Sequence, residues 1–358
     1  MIFHPDIFDL ANLFLIGLAL LLIIFILIFM YVRIRRNSKY QKWKLMADLL
    51  IRKAIFAEED EVGAKFNVSL TPRFKKLLKN QHFRKVLINE LINAKKAVSG
   101  SSADNLSQLY RQLQLHEYAL VQLKSKKWYV KAPVIQELSI MGIKEHLTKI
   151  YRYTNNANEL LRMEAQVAIV KFSGFEGLRF LDLVSYPISE WQQIKLLHEL
   201  SQIPTEDFSG IEKWIKSANK TVVSFALKLA RIHHRFELHD IIVTCLTDED
   251  VQVRLQAIRT LGEIYNEETA AVLIGRILKE APRQQMAIFQ VLQNIGSDDD
   301  IPVLLDQLDS DNAALKQAVA RALSKISSDG FKSLQLHVQA EEYPLTEIIA
   351  EIKSKLVA

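Results

Sequence analysis

DEDVQVRLQAIRTLGEI (Asp248–Ile264) opens on acidic residues and then places Val253, Ala257, Leu261 and Ile264 at helical spacing. One amphipathic helix would satisfy that pattern. What decides the fold is that the pattern recurs. With Val253 as position zero, equivalent starts fall at Val130, Leu161, Gln192, Val222, Gln284 and Leu315, separated by steps of 31, 31, 30, 31, 31 and 31 residues. Position +4 is Val134, Ala165, Leu196, Ala226, Ala257, Ile288 and Val319, and position +8 is Leu138, Ile169, Leu200, Ala230, Leu261, Leu292 and Leu323. Unrelated helices have no reason to keep a constant step, so the chain repeats one unit.

Helix-end chemistry supports the same register. Asn158, Ser189, Asn219, Asp250 and Asn312 stand three residues before position zero, where a short polar side chain accepts the free N–H groups of a first turn. Pro282 falls near the same point, and a first turn tolerates it. The first unit departs, with Lys127 at the cap position and Pro133 inside, which predicts a helix that starts late. Shorter apolar segments lie between the repeated helices, among them FEGLRFLDLV and ELHDIIVTCL. Each unit therefore reads as a helical hairpin of 30–31 residues, and a single hairpin buries its two apolar stripes only by stacking on neighbours. With 11 Gly and 8 Pro in 358 residues, turn formers are scarce, and period-two strand signals are rare. The expected fold is all-α, a solenoid of about seven such hairpins.

The opening stretch and NNANELLRMEAQVAIVKF resemble the second helix of HEAT-like repeats, and the short step is similar to the bacterial subtype found also in phycobilisome lyases. The resemblance spans roughly residues 110–330 and speaks to fold rather than chemistry. It implies ladders of Asp and Arg between units. Lys131, Arg162, Arg254 and Lys316 hold the basic position, while Gln193, Val223 and Gln285 do not.

Ahead of the repeats, residues 10–32 read LANLFLIGLALLLIIFILIFMYV without a charge, about 34 Å of helix and enough for a hydrocarbon core. The leading residues are acidic rather than basic and no small-residue cleavage site follows, which favours an uncleaved anchor over a signal peptide. Arg33, Arg35, Arg36, Lys39, Lys42 and Lys44 come directly after. They are the candidate membrane-surface contacts, and by the positive-inside rule they place the body in the cytoplasm of a cell bounded by an inner membrane, with the N-terminus outside. Tyr31, Tyr40 and Trp43 suit the interface. Residues 1–135 carry 22 Lys/Arg against 10 Asp/Glu, and the remainder 24 against 31. TPRFKKLLKNQHFRK (Thr71–Lys85) is the densest basic piece and reads as a solvated face or a headgroup contact. The expected order is a short extracytoplasmic N-terminus (1–9), a transmembrane helix (10–32), a basic juxtamembrane helix and linker (33–72, with the linker at 58–72), an N-terminal helical cap (73–125), the repeats (126–328) and a C-terminal helical cap (329–358).

Catalytic motifs are missing. The sequence holds no G-x-G-x-x-G, Walker loop, H-E-x-x-H or G-x-S-x-G, so no enzyme, metal or cofactor is expected. Cys245, the single cysteine, lies among apolar residues and reads as a buried structural thiol. His233, His234 and His239 read as a solvated loop. The pairs His116-Glu117 and His198-Glu199 are similar to the iron-binding pairs of deoxyhypusine hydroxylase, a HEAT-fold enzyme, but sit in different registers, so no ligand role carries over. Nucleic-acid binding is not expected of an acidic array.

Partner binding is the function left. With +4 and +8 packed inward, position +6 faces outward; it holds Gln136, Val167, His198, Lys228, Arg259, Gln290 and Arg321. The polar members form a candidate groove for an acidic partner segment. Trp191 is a second candidate, though a Trp at a helix start more often packs on its neighbour. The expected function is a membrane-anchored scaffold for a protein partner, itself membrane-associated; layouts of this kind resemble bacterial proteins that accompany polysaccharide-building glycosyltransferases. The alternative is a HEAT-fold enzyme or a chromophore-handling, lyase-like protein.

Overall fold

The structure is a computed structural model that describes residues 5–57, 67–202, 209–338 and 345–357. All regular elements among the described residues are helical. They fall into two compact units, Met1–Ile150 and Tyr151–Ala358.

Unit 1 begins with one unbroken helix, α1 (Pro5–Ile55), followed by α2 (Pro72–Leu78), α3 (Gln81–Ala97), α4 (Gly100–Gln112), α5 (Leu115–Leu123) and α6 (Trp128–Ile140). Every described side chain from Asn12 to Lys42 is exposed, whereas Ala47, Leu50, Ile51 and Ala54 are buried against α3 and α4. The sequence changes character at Arg33, and the helix changes with it. An apolar run without a packing partner becomes an amphipathic stripe built into a core. Phe83, Leu87, Leu91, Leu106, Leu109 and Leu138 fill that core. Thr71–Lys85 is more than a solvated face, since Phe74 and Phe83 are buried and meet edge to face at 5.3 Å. Of the expected linker, residues 58–66 lie outside the described residues. Val68 is buried and its N–H donates to Gln112 Oε1 at 3.0 Å, which pins the far end. Pro133 does not delay α6, which starts at Trp128 and runs through the proline; the carbonyl that loses its N–H partner belongs to Tyr129, an exposed residue.

Past α7 (Leu147–Tyr151), unit 2 alternates long helices with short arms. The long ones are α8 (Glu159–Ser173), α9 (Glu190–Ser201), α11 (Lys220–Ile232), α13 (Val251–Leu261), α15 (Pro282–Ile295) and α17 (Ala313–Ile326). The arms are α10 (Ile211–Ile215), α12 (His239–Thr244), α14 (Thr269–Ile274) and α16 (Ile301–Asp306), several extended by 3-10 turns, and the arm Gly174–Asp182 is wholly 3-10. The last hairpin is α18 (Ser328–His337) with α19 (Leu345–Val357), and α19 packs on α17. The C-terminal cap thus repeats the hairpin plan. One apolar core, without interruption, runs from Val170 to Ile348.

The register read from Asp248–Ile264 is the packing register. All residues in the +4 and +8 columns are buried, none more than 4% exposed. At position +11, the place of Ile264 in its repeat, Met141 and Ile264 are fully buried, Phe172, His233, Ile295 and Ile326 are half-buried, and Ile203 lies outside the described residues. Asn158, Ser189, Asn219, Asp250 and Asn312 each cap a helix, their side chains accepting first-turn N–H groups, and Pro282 is the first residue of α15.

Candidate functional site

The position after each repeat start is where the resemblance implies a basic ladder, broken in the sequence at Gln193, Val223 and Gln285. Arg162 donates to the carbonyl oxygen of Asn156 at 2.6 Å and Arg254 to that of Asp248 at 2.8 Å. Gln193 donates to Ile188 O at 3.1 Å and Gln285 to Ile277 O at 2.8 Å. In these four repeats the side chain satisfies a carbonyl of the preceding segment, in the loop for Arg162, Gln193 and Arg254 and in the 3-10 turn Ile277–Lys279 for Gln285, which an amide does as well as a guanidinium. Arg254 alone of these adds an ion pair to the next repeat, to the buried Glu280 at 3.0 Å, and Glu280 also pairs with Arg276.

The +6 column divides three ways. In unit 1 Gln136 is exposed on α6. In unit 2 His198, Arg259 and Gln290 are exposed, and Arg259 has no carboxylate partner among the described residues. Lys228 does not face outward freely: it is half-buried and donates to Gln193 Oε1 at 2.8 Å. Burial holds its ammonium below the usual lysine range, and the Arg231 and Arg259 cations add to this against the opposing pull of Glu190. Arg321 pairs with Glu351 of α19 at 3.7 Å, so the final hairpin occupies part of what the sequence left open. Val167 packs against the core.

Trp191 is the clearest reversal. It is 62% exposed rather than packed on a neighbour, with Ile194 beside it at 55% and Lys195 Nζ 5.7 Å from its ring centre. Trp191, Ile194 and His198 share one face of α9. His239 reverses in the other direction. It is buried, and its Nε2 lies 2.9 Å from Thr269 Oγ1 in the next repeat, so it is a structural tie rather than part of a solvated loop. No cluster of metal-ligating side chains occurs among the described residues. Cys245 is buried, and burial pushes its thiol up to about 11.

Unit 1 holds a feature that sequence reasoning missed. Glu137 on α6 is 6% exposed and accepts a hydrogen bond from Tyr110 Oη of α4 at 2.5 Å. Desolvation raises the Glu137 carboxyl to about 7, against the lowering effect of the Tyr110 hydrogen bond. The Tyr110 hydroxyl is pushed up in turn, by burial first and then by the Glu137 charge. Glu137 lines a cleft of about 610 Å³ together with Lys85, Asn89, Tyr118, Tyr129 and Gln136. A second cleft, about 810 Å³, lies between α1 and α3. Arg33, Arg36, Lys39, Tyr40 and Trp43 form one wall and His82, Lys85 and Asn89 the other. Three of the six basic residues expected as membrane-surface contacts therefore line a cleft, while Arg35, Lys42 and Lys44 do not; Lys44 pairs with Glu90 at 3.6 Å.

Residues 240–324 match the family described as HEAT repeats. No curated protein matches the sequence. Among solved structures, the chain is similar to an engineered protein at 17% identity and a TM-score of 0.41, covering 78% of this chain and 87% of that one. Human deoxyhypusine hydroxylase, solved with glycerol, aligns at 14% identity and a TM-score of 0.29, covering 88% and 96%. The CpcE–CpcF complex of phycocyanin lyase from Nostoc sp. PCC7120 aligns at 10% identity and a TM-score of 0.26, covering 83% and 100%. The architecture is thus all-α, a HEAT-like solenoid of helical hairpins preceded by one helix long and apolar enough to cross a membrane.

Proposed function

We propose that this chain is a membrane-anchored, non-catalytic scaffold that binds a protein partner through unit 2. The observation that carries the reading is the double character of α1, an unpartnered apolar helix continuous with a core helix of unit 1. A contiguous exposed apolar surface of that extent is costly in water, and crossing a bilayer removes the cost. The basic residues after it orient the two units toward the cytoplasm. Tethering raises the local concentration of the scaffold for partners in the same membrane without any new contact.

The docking face is the exposed strip of α9 with Arg259. Exposed Trp is favoured at interaction hot spots, and Arg259 supplies an unpaired cation for an acidic residue. A membrane enzyme such as a polysaccharide glycosyltransferase is the partner that the overall layout favours. The test is cross-linking in native membranes followed by purification through the C-terminus, for wild type, Trp191→Ser and Arg259→Glu. A partner enriched over a control carrying only the apolar helix, and lost in Trp191→Ser, supports the reading; no enrichment refutes it.

Catalysis on a HEAT scaffold is the second reading, favoured by one observation: Glu137 titrates near neutrality at the wall of a cleft, a setting in which a carboxyl transfers protons. Substrate turnover abolished by Glu137→Gln would replace the scaffold reading with this one.

A further inference from the structure

The cleft between α1 and α3 has a composition and a position that together specify a ligand. Arg33, Arg36, Asn37, Tyr40 and Trp43 follow one another at helical spacing, so they share one face of α1; His82, Lys85, Val86 and Asn89 do the same on α3. Trp43 meets Phe83 edge to face at 5.9 Å, which fixes the two walls against each other. Lys39 Nζ lies 4.8 Å from the Trp43 ring centre, over its face. Four permanent cations, Arg33, Arg36, Lys39 and Lys85, line the cleft and no carboxylate does. None of the four forms an ion pair with a carboxylate among the described residues.

Position decides between anions. Arg33 is the first residue after the apolar run. At 1.5 Å per residue, Arg36 lies about 6 Å, Lys39 about 10 Å and Trp43 about 16 Å along the helix from Val32. The headgroup layer on each side of a bilayer is about 5–8 Å deep. Arg33 and Arg36 therefore stand at headgroup level, Lys39 continues the positive lining below it, and Lys85 adds a cation from the facing wall. Ile34, two residues past Val32, adds apolar wall at the end nearest the span, which a small soluble anion cannot use and an acyl chain can.

Resting on the reading of α1 as a membrane anchor, we infer that this cleft is a stoichiometric site for one anionic phospholipid, its phosphodiester held among Arg36, Lys39 and Lys85 and its acyl chains lying along the span past Ile34. The site differs from diffuse attraction of a basic segment to a charged surface, because four of its eleven lining residues come from α3, far from the span in sequence.

The experiment uses the full chain, reconstituted in nanodiscs of phosphatidylcholine with phosphatidylglycerol and stripped stepwise by detergent while native mass spectrometry counts retained lipids. One phosphatidylglycerol held in preference to phosphatidylcholine is expected. At about fivefold per cation, the variant Arg36→Gln, Lys39→Gln, Lys85→Gln should lose roughly a hundredfold of that preference. A variant removing as many charges outside the cleft, Lys75→Gln, Lys76→Gln, Lys79→Gln, should keep it. Equal losses in the two variants, or no preference in wild type, overturn the site. Displacement of the lipid by inorganic phosphate overturns the lipid assignment in favour of a soluble anion. Unchanged helicity by circular dichroism guards against misfolding. Carbonate extraction of native membranes tests the anchor separately: release of wild type refutes the anchor, whereas retention with no lipid preference refutes the cleft alone.

Discussion

Replacing Glu137 with Gln should remove a pH dependence that the wild-type fold cannot avoid. The folded carboxyl titrates at about 7 against an unfolded value of 4.5. Below the unfolded value both states hold the proton and the group contributes no slope. Between the two values the folded state holds a proton that the unfolded state has released, so stability falls as pH rises; above about 7 both are ionised and the loss is complete. A gap of this size corresponds to about 3 kcal/mol at 1.36 kcal/mol per unit. Gln keeps an oxygen that can accept from Tyr110 Oη while carrying no charge at any pH. The variant should match wild type near pH 4 and exceed it above pH 7, by up to about 3 kcal/mol. His146 and His233, which burial holds below the ordinary histidine range, act with the opposite sign, because a folded state that prefers neutral imidazole gains stability as pH rises. The difference between wild type and variant cancels them. Hydrogen exchange of peptides from α4 and α6, corrected for the intrinsic pH dependence of exchange, reads the local opening free energy in unit 1 without requiring the membrane helix to unfold. Parallel profiles for the two proteins from pH 5 to 8 would refute the desolvated carboxylate.

Three further outcomes test the packing. A Cβ on Gly330 would collide with the backbone oxygen of Leu323, so Gly330→Ala should destabilise the last hairpin by about 1–3 kcal/mol; an unchanged thermal midpoint would contradict the close approach of α18 to α17. Asp250 accepts from the N–H groups of Gln252 and Val253 at 2.7 and 3.2 Å, and Asp250→Ala should cost about 1 kcal/mol, with Asp250→Asn nearly neutral when both are compared by chemical denaturation. Cys245, buried and with its thiol pushed up to about 11, should resist alkylation at pH 8 in the folded protein and react fully once unfolded; rapid native labelling would contradict its burial.

The fold was legible because it is periodic. The columns at +4 and +8 in the repeat containing Ala257 and Leu261 are buried throughout, since stacking forces every unit to hide the same stripe. The cleft residues were not legible for the opposite reason. Tyr110 and Glu137 are 27 residues apart, on different helices, and no spacing rule joins them. A weaker signal was nonetheless present: Glu137 directly precedes Leu138 of the +8 column, on the buried side of α6, and a carboxylate in that place needs a donor. His239 escaped in the same way, its partner Thr269 lying 30 residues on in the next repeat.

Trp191 shows how far register alone reaches. It stands one residue before position zero, a column in which Tyr129, Leu160, Gln252, Arg283 and Ala314 are also exposed and Thr221 is half-buried. The column is set by helix geometry, so a Trp placed there is exposed whatever its hydrophobicity, and the general tendency of Trp to pack yields to it. The position after each repeat start argues the same point from the polar side. Arg162, Gln193, Arg254 and Gln285 differ in charge yet all donate to a backbone carbonyl ahead of their own helix. Where Val223 cannot donate, the Asn219 amide reaches back to Tyr186 O at 3.0 Å. The backbone requirement is therefore fixed by the repeat, whereas the residue that meets it is free to vary. A family signature written as Arg misses units that fold by the same rule with Gln, and in this chain those units include α9, the helix that carries the exposed Trp191 strip.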